Sequence, residues 1–375
     1  MILQKIKKLF LGAAYALCRL LPVDRERVLF FSYYGEQYSG SPKYISRYLT
    51  EQTGVKVVWA FVDPQKYDLP ALKKVRYGRF EYYYQLATAG TVITNYRMTD
   101  EFRKRRGQRY IQTWHSSLRL KMIEKDAEET LPANYVRMAK KDSPQIDYLL
   151  AGSRKSREIF EGAFWYDGTI VNSGTPQCDI LLGDSTGVRR KAMQHFGIPE
   201  NAHIALYAPT FRKDHDTSVY DLDTDALLSA LRERFGGEWY LLMRLHPHLV
   251  REANCFRYSE KVLPATDYDD AQELLAAADV LVSDYSAIMF DYAVTKRPCI
   301  LYTPDIERYT ATDRKLYFEM NELPFPHFEK QTELFAAIRQ FSETEYLDSV
   351  SRFLNAIGSY DDGRACQRIS ELISR

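Results

Sequence analysis

The chain has 375 residues, 45% of them hydrophobic, with 51 basic and 50 acidic side chains and a net charge of +1. This length predicts two domains, and the balanced charge excludes a general nucleic-acid binder, which carries a strong basic excess. Five cysteines (Cys18, Cys178, Cys255, Cys299 and Cys366) without a CxxC pair exclude a zinc cluster and a disulfide framework, and they fit a reducing cytosol.

Residues 1–22 read as an amphipathic helix. Ile2, Leu3, Ile6, Leu9, Phe10, Ala13, Leu17, Leu20 and Leu21 follow helical spacing, while Lys5, Lys7, Lys8 and Arg19 add only positive charge. The uninterrupted apolar run Leu9–Cys18 falls short of the roughly 20 residues that span a bilayer, and suits a helix lying on an anionic membrane surface. Two other readings fit: a secretory signal, with Ala14-Tyr15-Ala16 imitating a cleavage site, and a plain amphipathic helix packed on its domain.

From residue 23 to 185, short β-rich runs alternate with helical stretches, the pattern of a mostly parallel sheet covered by helices. The expected strands are Val28–Ser32, Val57–Phe61, Thr91–Thr94, Tyr110–Thr113, Tyr148–Ala151 and Thr169–Asn172. Helical periodicity covers Tyr44–Leu49, Phe80–Ala87 and Ser153–Ala163, with Ser153 as a cap. Arg103, Lys104, Arg105, Arg106 and Arg109 crowd a loop before the fourth strand. Such a run is a solvated face, or it joins the N-terminal helix in contacting an anionic membrane or a lipid pyrophosphate.

A second series occupies residues 186–345, after a connection near Gly183–Phe196. Its strands are expected at Ile204–Tyr207, Trp239–Leu245, Val262–Leu263, Val280–Ser283 and Cys299–Leu301, and its helices include Ala226–Phe235 and Asp270–Ala278. Residues 346–375 hold a last helix, roughly Thr344–Ile373, expected to pack back on the first domain. Two doubly wound domains of this kind bind ligands in a cleft lined by strand C-termini.

Polar motifs fall at those strand ends. His115, in WHSS (114–117), is a residue type suited to take a proton from a hydroxyl near neutral pH, or it hydrogen-bonds its own loop. Thr210 and Arg212 follow a strand stopped by Pro209; the arginine fork matches a diphosphate, or pairs with a nearby acid. Arg244 and His246, before Pro247, can donate to phosphate oxygens as a leaving group departs. A metal bound through His246 and His248 lacks further ligands. In Val282–Tyr302, Ser283 and Asp284 end a buried strand and Ser286 stands at the expected N-cap of a helix, so free amides and the helix dipole form an anion site. The competing reading is an ordinary strand-to-helix turn. No motif calls for a metal or an organic cofactor, and none fixes an oligomeric state.

In this order and spacing, YSGSPKYISRYL (38–49), QTWHSSLRLKMI (112–123), AGSRKSREIFEGAF (151–164), LYAPTFR (206–212), RLHPH (244–248), SDYSAIMFDYAVTKRPCILY (283–302) and YFEMNELPFP (317–326) resemble the CDP-glycerol glycerophosphotransferase family, the teichoic-acid primases and polymerases of Gram-positive bacteria. The resemblance implies an α/β GT-B fold of two facing Rossmann-like domains with a central cleft. It also implies a peripheral enzyme on the cytoplasmic face of the membrane, moving glycerol phosphate from CDP-glycerol to a polyprenyl-diphosphate-linked saccharide with release of CMP. His115 then matches the family base and His246 the histidine assisting at the donor phosphates. Thr210, Arg212, Ser283, Asp284 and Ser286 fall on donor-binding segments. The absence of a further long N-terminal domain points to a primase-like enzyme. Ser116, Ser117 and Leu118 stand where the family usually has glycine, threonine and proline, which implies a differently shaped acceptor loop; separately, Lys315 stands in place of the glycine that follows the arginine matched by Arg314. Alternatives are a CDP-ribitol or capsule polyol-phosphate transferase, a nucleotide-sugar GT-B glycosyltransferase or epimerase, and a non-catalytic membrane scaffold.

Overall fold

A computed structural model describes residues 2–212, 216–245, 257–312 and 315–374. The chain separates into two compact units: residues 1–115, 124–179 and 360–375 form one, and residues 116–123 and 180–359 form the other.

The first unit starts with α1 (Ile2–Cys18), then β1 (Asp24–Phe31), α2 (Gly40–Gln52), β2 (Lys56–Phe61), β3 (Lys73–Arg76), α3 (Phe80–Thr88), β4 (Ala89–Thr94) and β5 (Arg109–Gln112). It continues with α4 (Ala133–Asp142), β6 (Tyr148–Ala151), α5 (Arg154–Ala163) and β7 (Thr169–Asn172). The seven strands form one parallel sheet in the order β3-β2-β1-β4-β5-β6-β7. Strand β4, rich in β-branched residues, is buried along its whole length. Gly90 is required there, because a Cβ would sit 2.6 Å from the Arg25 Cα where β1 shifts register. Ser153 caps α5, accepting from the Ser156 N–H at 3.0 Å.

The second unit takes over within α6 (Asp179–Leu182), from residue 180, and holds α7 (Thr186–Phe196), β8 (His203–Tyr207), α8 (Thr224–Phe235), β9 (Trp239–Met243), β10 (Val262–Pro264), α9 (Ala271–Ala277), β11 (Val280–Ser283), α10 (Ile288–Ala293) and β12 (Cys299–Tyr302). After these come α11 (Ile306–Thr312), β13 (His327–Phe328), α12 (Gln331–Arg339) and α13 (Glu343–Ala356). Its six strands are parallel in the order β10-β9-β8-β11-β12-β13. Both sheets reverse strand order once, between β1 and β4 and between β8 and β11, and ligands of open α/β sheets bind at the carboxyl ends beside such reversals.

The expected single helix over 344–373 is two helices. Gly358 (φ 62°) and Gly363 (φ 80°) take left-handed conformations that end α13 and turn the chain toward α14 (Ala365–Ser374). Helix α14 belongs to the first unit, where Asp179 accepts from the amides of Ala365 (3.0 Å) and Cys366 (2.7 Å) and Arg109 donates to the terminal carbonyls of Leu372 and Ile373. At the other terminus, Ala14, Tyr15 and Cys18 of α1 pack inward, with Tyr15 5.6 Å from the Tyr83 ring of α3, while Phe10, Leu17 and Leu20 are exposed. No helix among the described residues is long and apolar enough to cross a membrane.

Candidate active site

In the first unit, candidate groups gather at the carboxyl end of the sheet. Trp114 follows β5 with φ 53°, a conformation that costs a non-glycine residue about 1–3 kcal/mol. It is braced from below. The Gln112 side chain accepts from the Trp114 N–H at 3.0 Å and donates to the Tyr96 carbonyl at 2.9 Å and the Tyr110 hydroxyl at 3.0 Å. The turn thus presents His115, half-buried, with its ring 4.6 Å from Trp114 and 5.6 Å from Tyr96. Tyr33 (φ 48°), Tyr34 (φ 55°) and Glu124 (φ 52°) are left-handed as well, and both tyrosine rings touch Tyr96.

Burial pushes the Tyr34 phenol up to about 12 and raises that of Tyr96, so both stay protonated near neutral pH. Among these neighbours the imidazole is the group suited to accept a proton. Behind it lies Arg97, 1% exposed, 2.7 Å from Glu124 and 3.3 Å from Asp142, with its guanidinium over the rings of Phe164 (4.4 Å) and Trp114 (6.0 Å). Burial works against the charge on Arg97, but the two carboxylates hold it on.

The chain leaves the first unit after His115 and returns at Glu124; residues 116–123 between them belong to the second. There the Ser117 N–H donates to Asp291 at 2.8 Å, and the other Asp291 oxygen accepts from Gln272 at 2.8 Å. The Met122 N–H donates to the Lys315 carbonyl at 2.9 Å and the Tyr317 N–H to the Leu120 carbonyl at 2.7 Å, forming a short antiparallel bridge at Lys121 and Leu316.

In the second unit, Asp284 is a hub. Its carboxylate accepts from the backbone N–H groups of Thr210 (2.8 Å) and Tyr285 (2.6 Å) and from Arg212 (2.8 Å). Arg212 is 3% exposed and turns its remaining fork on Asp305 at 2.8 and 3.0 Å, above the stacked rings of Tyr285 and Tyr309. Burial pushes the Asp305 carboxyl up, but Arg212 overrides this and holds it below the usual range. The Arg212 donors go to these two carboxylates and to the Thr210 carbonyl, the pairing with nearby acids that the sequence had left open beside the diphosphate fork.

Ser283 is fully buried and donates to the Ala208 carbonyl at 2.7 Å, tying the ends of β8 and β11 together. Ser286 is not the cap. Helix α10 starts at Ile288 with Ala287 at its N-cap and no side-chain capping bond, and it is six residues long. The Thr210 hydroxyl has no hydrogen-bond partner among the described residues. Arg244 donates to the carbonyls of Ala265 and Tyr268, fastening the loop that follows β10. His246 lies outside the described residues, as do Pro247, His248 and Arg314.

The family's sequence profile, described as CDP-glycerol:poly(glycerophosphate) glycerophosphotransferase, matches residues 13–375. The chain belongs to this glycerophosphotransferase family. A teichoic acid glycerol-phosphate transferase of Staphylococcus aureus (strain NCTC 8325 / PS 47) is 31% identical over the full length of both chains. A teichoic acid poly(glycerol phosphate) polymerase of Staphylococcus epidermidis is 30% identical over 94% of this chain, which spans only 51% of that relative. A solved structure of the wall teichoic acid polymerase TagF superposes with a TM-score of 0.86 at 28% identity, covering 99% of this chain and 95% of that one.

The basic groups of this glycerophosphotransferase divide. Lys5, Lys7 and Lys8 lie in α1. Lys104 pairs with Asp147, and Arg105 donates to the carbonyls of Ala87 (2.7 Å) and Leu21 (2.8 Å), so both also serve the fold. Arg103 donates to the carbonyls of Asp100 and Phe102 but remains exposed, as does Arg106. Among the described residues no cluster of three or more histidine, cysteine or carboxylate side chains could hold a metal ion. Asp291, Asp305 and Arg97 escaped the sequence reading. For Arg97 a signal existed, because a lone arginine beyond the apolar strand TVIT (91–94) needs a counter-charge if it is buried.

Proposed function

We propose that this enzyme transfers glycerol phosphate from CDP-glycerol to a hydroxyl of a polyprenyl-diphosphate-linked saccharide, as a primase-like GT-B enzyme seated peripherally on the cytoplasmic face of the membrane. The observation that carries the reading is His115, presented by the braced left-handed turn at Trp114 at the carboxyl end of β5. His115 takes the proton of the acceptor hydroxyl, and that oxygen attacks the glycerol-bearing phosphorus. The bond to the cytidylyl phosphate breaks, and CMP leaves with the electron pair. Positioning and electrostatics supply most of the acceleration in such a transfer.

The second unit supplies the donor segments: Thr210 and Ser286 offer hydroxyls, while Arg212, Asp284 and Ser283 set the backbone that carries them. His246 assists at the donor phosphates. The decisive assay measures CMP release from CDP-glycerol, with CDP-ribitol and UDP-sugars in parallel, on a lipid-linked disaccharide. His115→Ala is expected to lower turnover by about 10²–10⁴-fold, the range for loss of a general base. Turnover only with UDP-sugars, or a fully active His115→Ala variant, overturns the proposal.

A further inference from the structure

We propose that the second unit carries a separate binding site for a planar aromatic molecule bearing one anionic group. A cavity of about 360 Å³ opens at the amino-terminal edge of its sheet, within the range of small-molecule sites. His203 opens β8, Trp239 opens β9, and Pro298 leads into β12. Thr210, Arg244 and Ser283 stand at the carboxyl ends of the same sheet, roughly 15 Å away along strands that rise about 3.3 Å per residue. The cavity is therefore distinct from the donor segments.

Its wall is aromatic. The His203 imidazole stacks on the buried Trp239 at 4.9 Å and 25°, its Nδ1 lies 3.5 Å from Asp279, and its side chain is 39% exposed, so part of the ring is open to an incoming group. Gly237 makes this possible, since a Cβ there would meet the imidazole at 2.7 Å. Phe341 and Tyr346 also line the cavity, and Leu347 is partly exposed.

The charges decide the ligand's sign. Asp279 is held by Arg189 at 2.9 and 3.1 Å, and Glu343 by Arg234 at 3.2 Å. Arg297 is spent on the carbonyls of Leu275, Ala276 and Ala278, at the end of α9. Lys296, exposed and held at φ 57°, has no acidic partner among the described residues. A ring on His203 with its anionic group on Lys296 satisfies both features.

Two sources share this chemistry: a nucleoside monophosphate such as the CMP of the proposed reaction, and a free aromatic carboxylic acid. Only the first rests on that reaction. The test titrates the full chain calorimetrically with CMP, with uncharged cytidine and with indole-3-acetate, in wild type, Lys296→Met and Leu347→Trp. At least one of the two anions is expected to bind saturably, to weaken about tenfold in Lys296→Met through loss of a charge-assisted contact, and to lose the site in Leu347→Trp. Any CMP binding left in Leu347→Trp reports the donor site, and response to one anion alone identifies the source. If neither anion binds a site sensitive to either substitution, or if cytidine binds it as well as CMP, the proposal falls. Should Leu347→Trp not fold, Lys296→Met decides alone. A chain inactive toward CDP-glycerol would sink the transferase reading and leave the indole-3-acetate result standing.

Discussion

Arg97 and Glu124 meet at 2.7 Å with both side chains out of solvent, and Glu124 is the residue at which the chain re-enters the first unit. The same guanidinium lies over Trp114, one residue before the chain departs. One buried cation thus supports both ends of the segment that follows His115. Replacing Arg97 with methionine strands two buried carboxylates, at an expected cost of about 3–5 kcal/mol. Arg97→Lys should fall between, because an ammonium cannot reproduce the planar fork. Urea denaturation checks both, and an unchanged midpoint for Arg97→Met would contradict the pairing.

Asp142, on the other side of Arg97, gives this network a pH dependence. Burial raises its carboxyl to about 6, with Arg97 opposing the rise. The folded protein therefore binds this proton more tightly than the unfolded chain, whose carboxyl titrates near 3.9. The contribution to stability is full below about pH 4 and is lost as pH rises through about 6, on the order of 2–3 kcal/mol. Asp142→Asn removes the titration. Its stability relative to wild type should improve by about that amount between pH 4 and pH 7. A difference that stays constant with pH would refute this assignment.

Arg212 holds Asp284 and Asp305 together in the second unit, beside the proposed donor segments. If it gripped the donor diphosphate directly, Arg212→Lys would raise the KM for CDP-glycerol with stability intact. Its contacts with Asp284 and Asp305 predict instead a melting temperature lowered by several degrees, the signature of a loss of about 2 kcal/mol, with kcat and KM changing together. Differential scanning calorimetry alongside steady-state kinetics separates these outcomes.

Strands β7 and β11 were legible in the sequence because short β-branched runs ended at serine, and β6 because its apolar Tyr-Leu-Leu-Ala run stops at Gly152. Strand β3, Lys73–Arg76, was not, since an edge strand with only Val75 fully buried carries almost no hydrophobic pattern. The two-residue β13 fails for the same reason. Arg212 and Asp284 were visible as polar groups at strand ends, but their partnership was not, because 72 residues separate them. Asp305 and Asp291 look like ordinary helix-flanking and helical acids until the fold brings Arg212 and Ser117 to them. Ser286 misled because a serine ahead of an apolar run matches a cap pattern that the chain satisfies one residue later, without a side-chain bond.

Asp291 holds the loop that follows His115 through the Ser117 amide, an interaction across 174 residues. Asp291→Ala removes a charge-assisted acceptor and leaves the Ser117 and Gln272 donors unmatched, an expected loss of about 1.5–3 kcal/mol. Asp291→Asn retains one acceptor oxygen for Ser117, while Gln272 can turn its own oxygen toward the new amide. It should therefore be milder in both melting temperature and turnover. Equal loss in the two variants would show that the carboxylate's charge matters more than its geometry.

Helix α1 and the turn that follows it supply the surface for the proposed membrane seat. Phe10, Leu17 and Leu20 are 68%, 67% and 81% exposed, while Ala14, Tyr15 and Cys18 face the first unit. Because the inward residues hold the helix to its unit, Leu17→Asp with Leu20→Asp should leave the melting temperature unchanged. Removing two leucines from a lipid interface forfeits about 3–6 kcal/mol, enough to abolish co-sedimentation with vesicles containing phosphatidylglycerol. Raising the salt should weaken the wild type partially, since it screens the basic groups and spares the apolar contact. Wild-type sedimentation by the double variant would remove α1 as the anchor, and sedimentation indifferent to lipid charge would leave the leucines as its sole source.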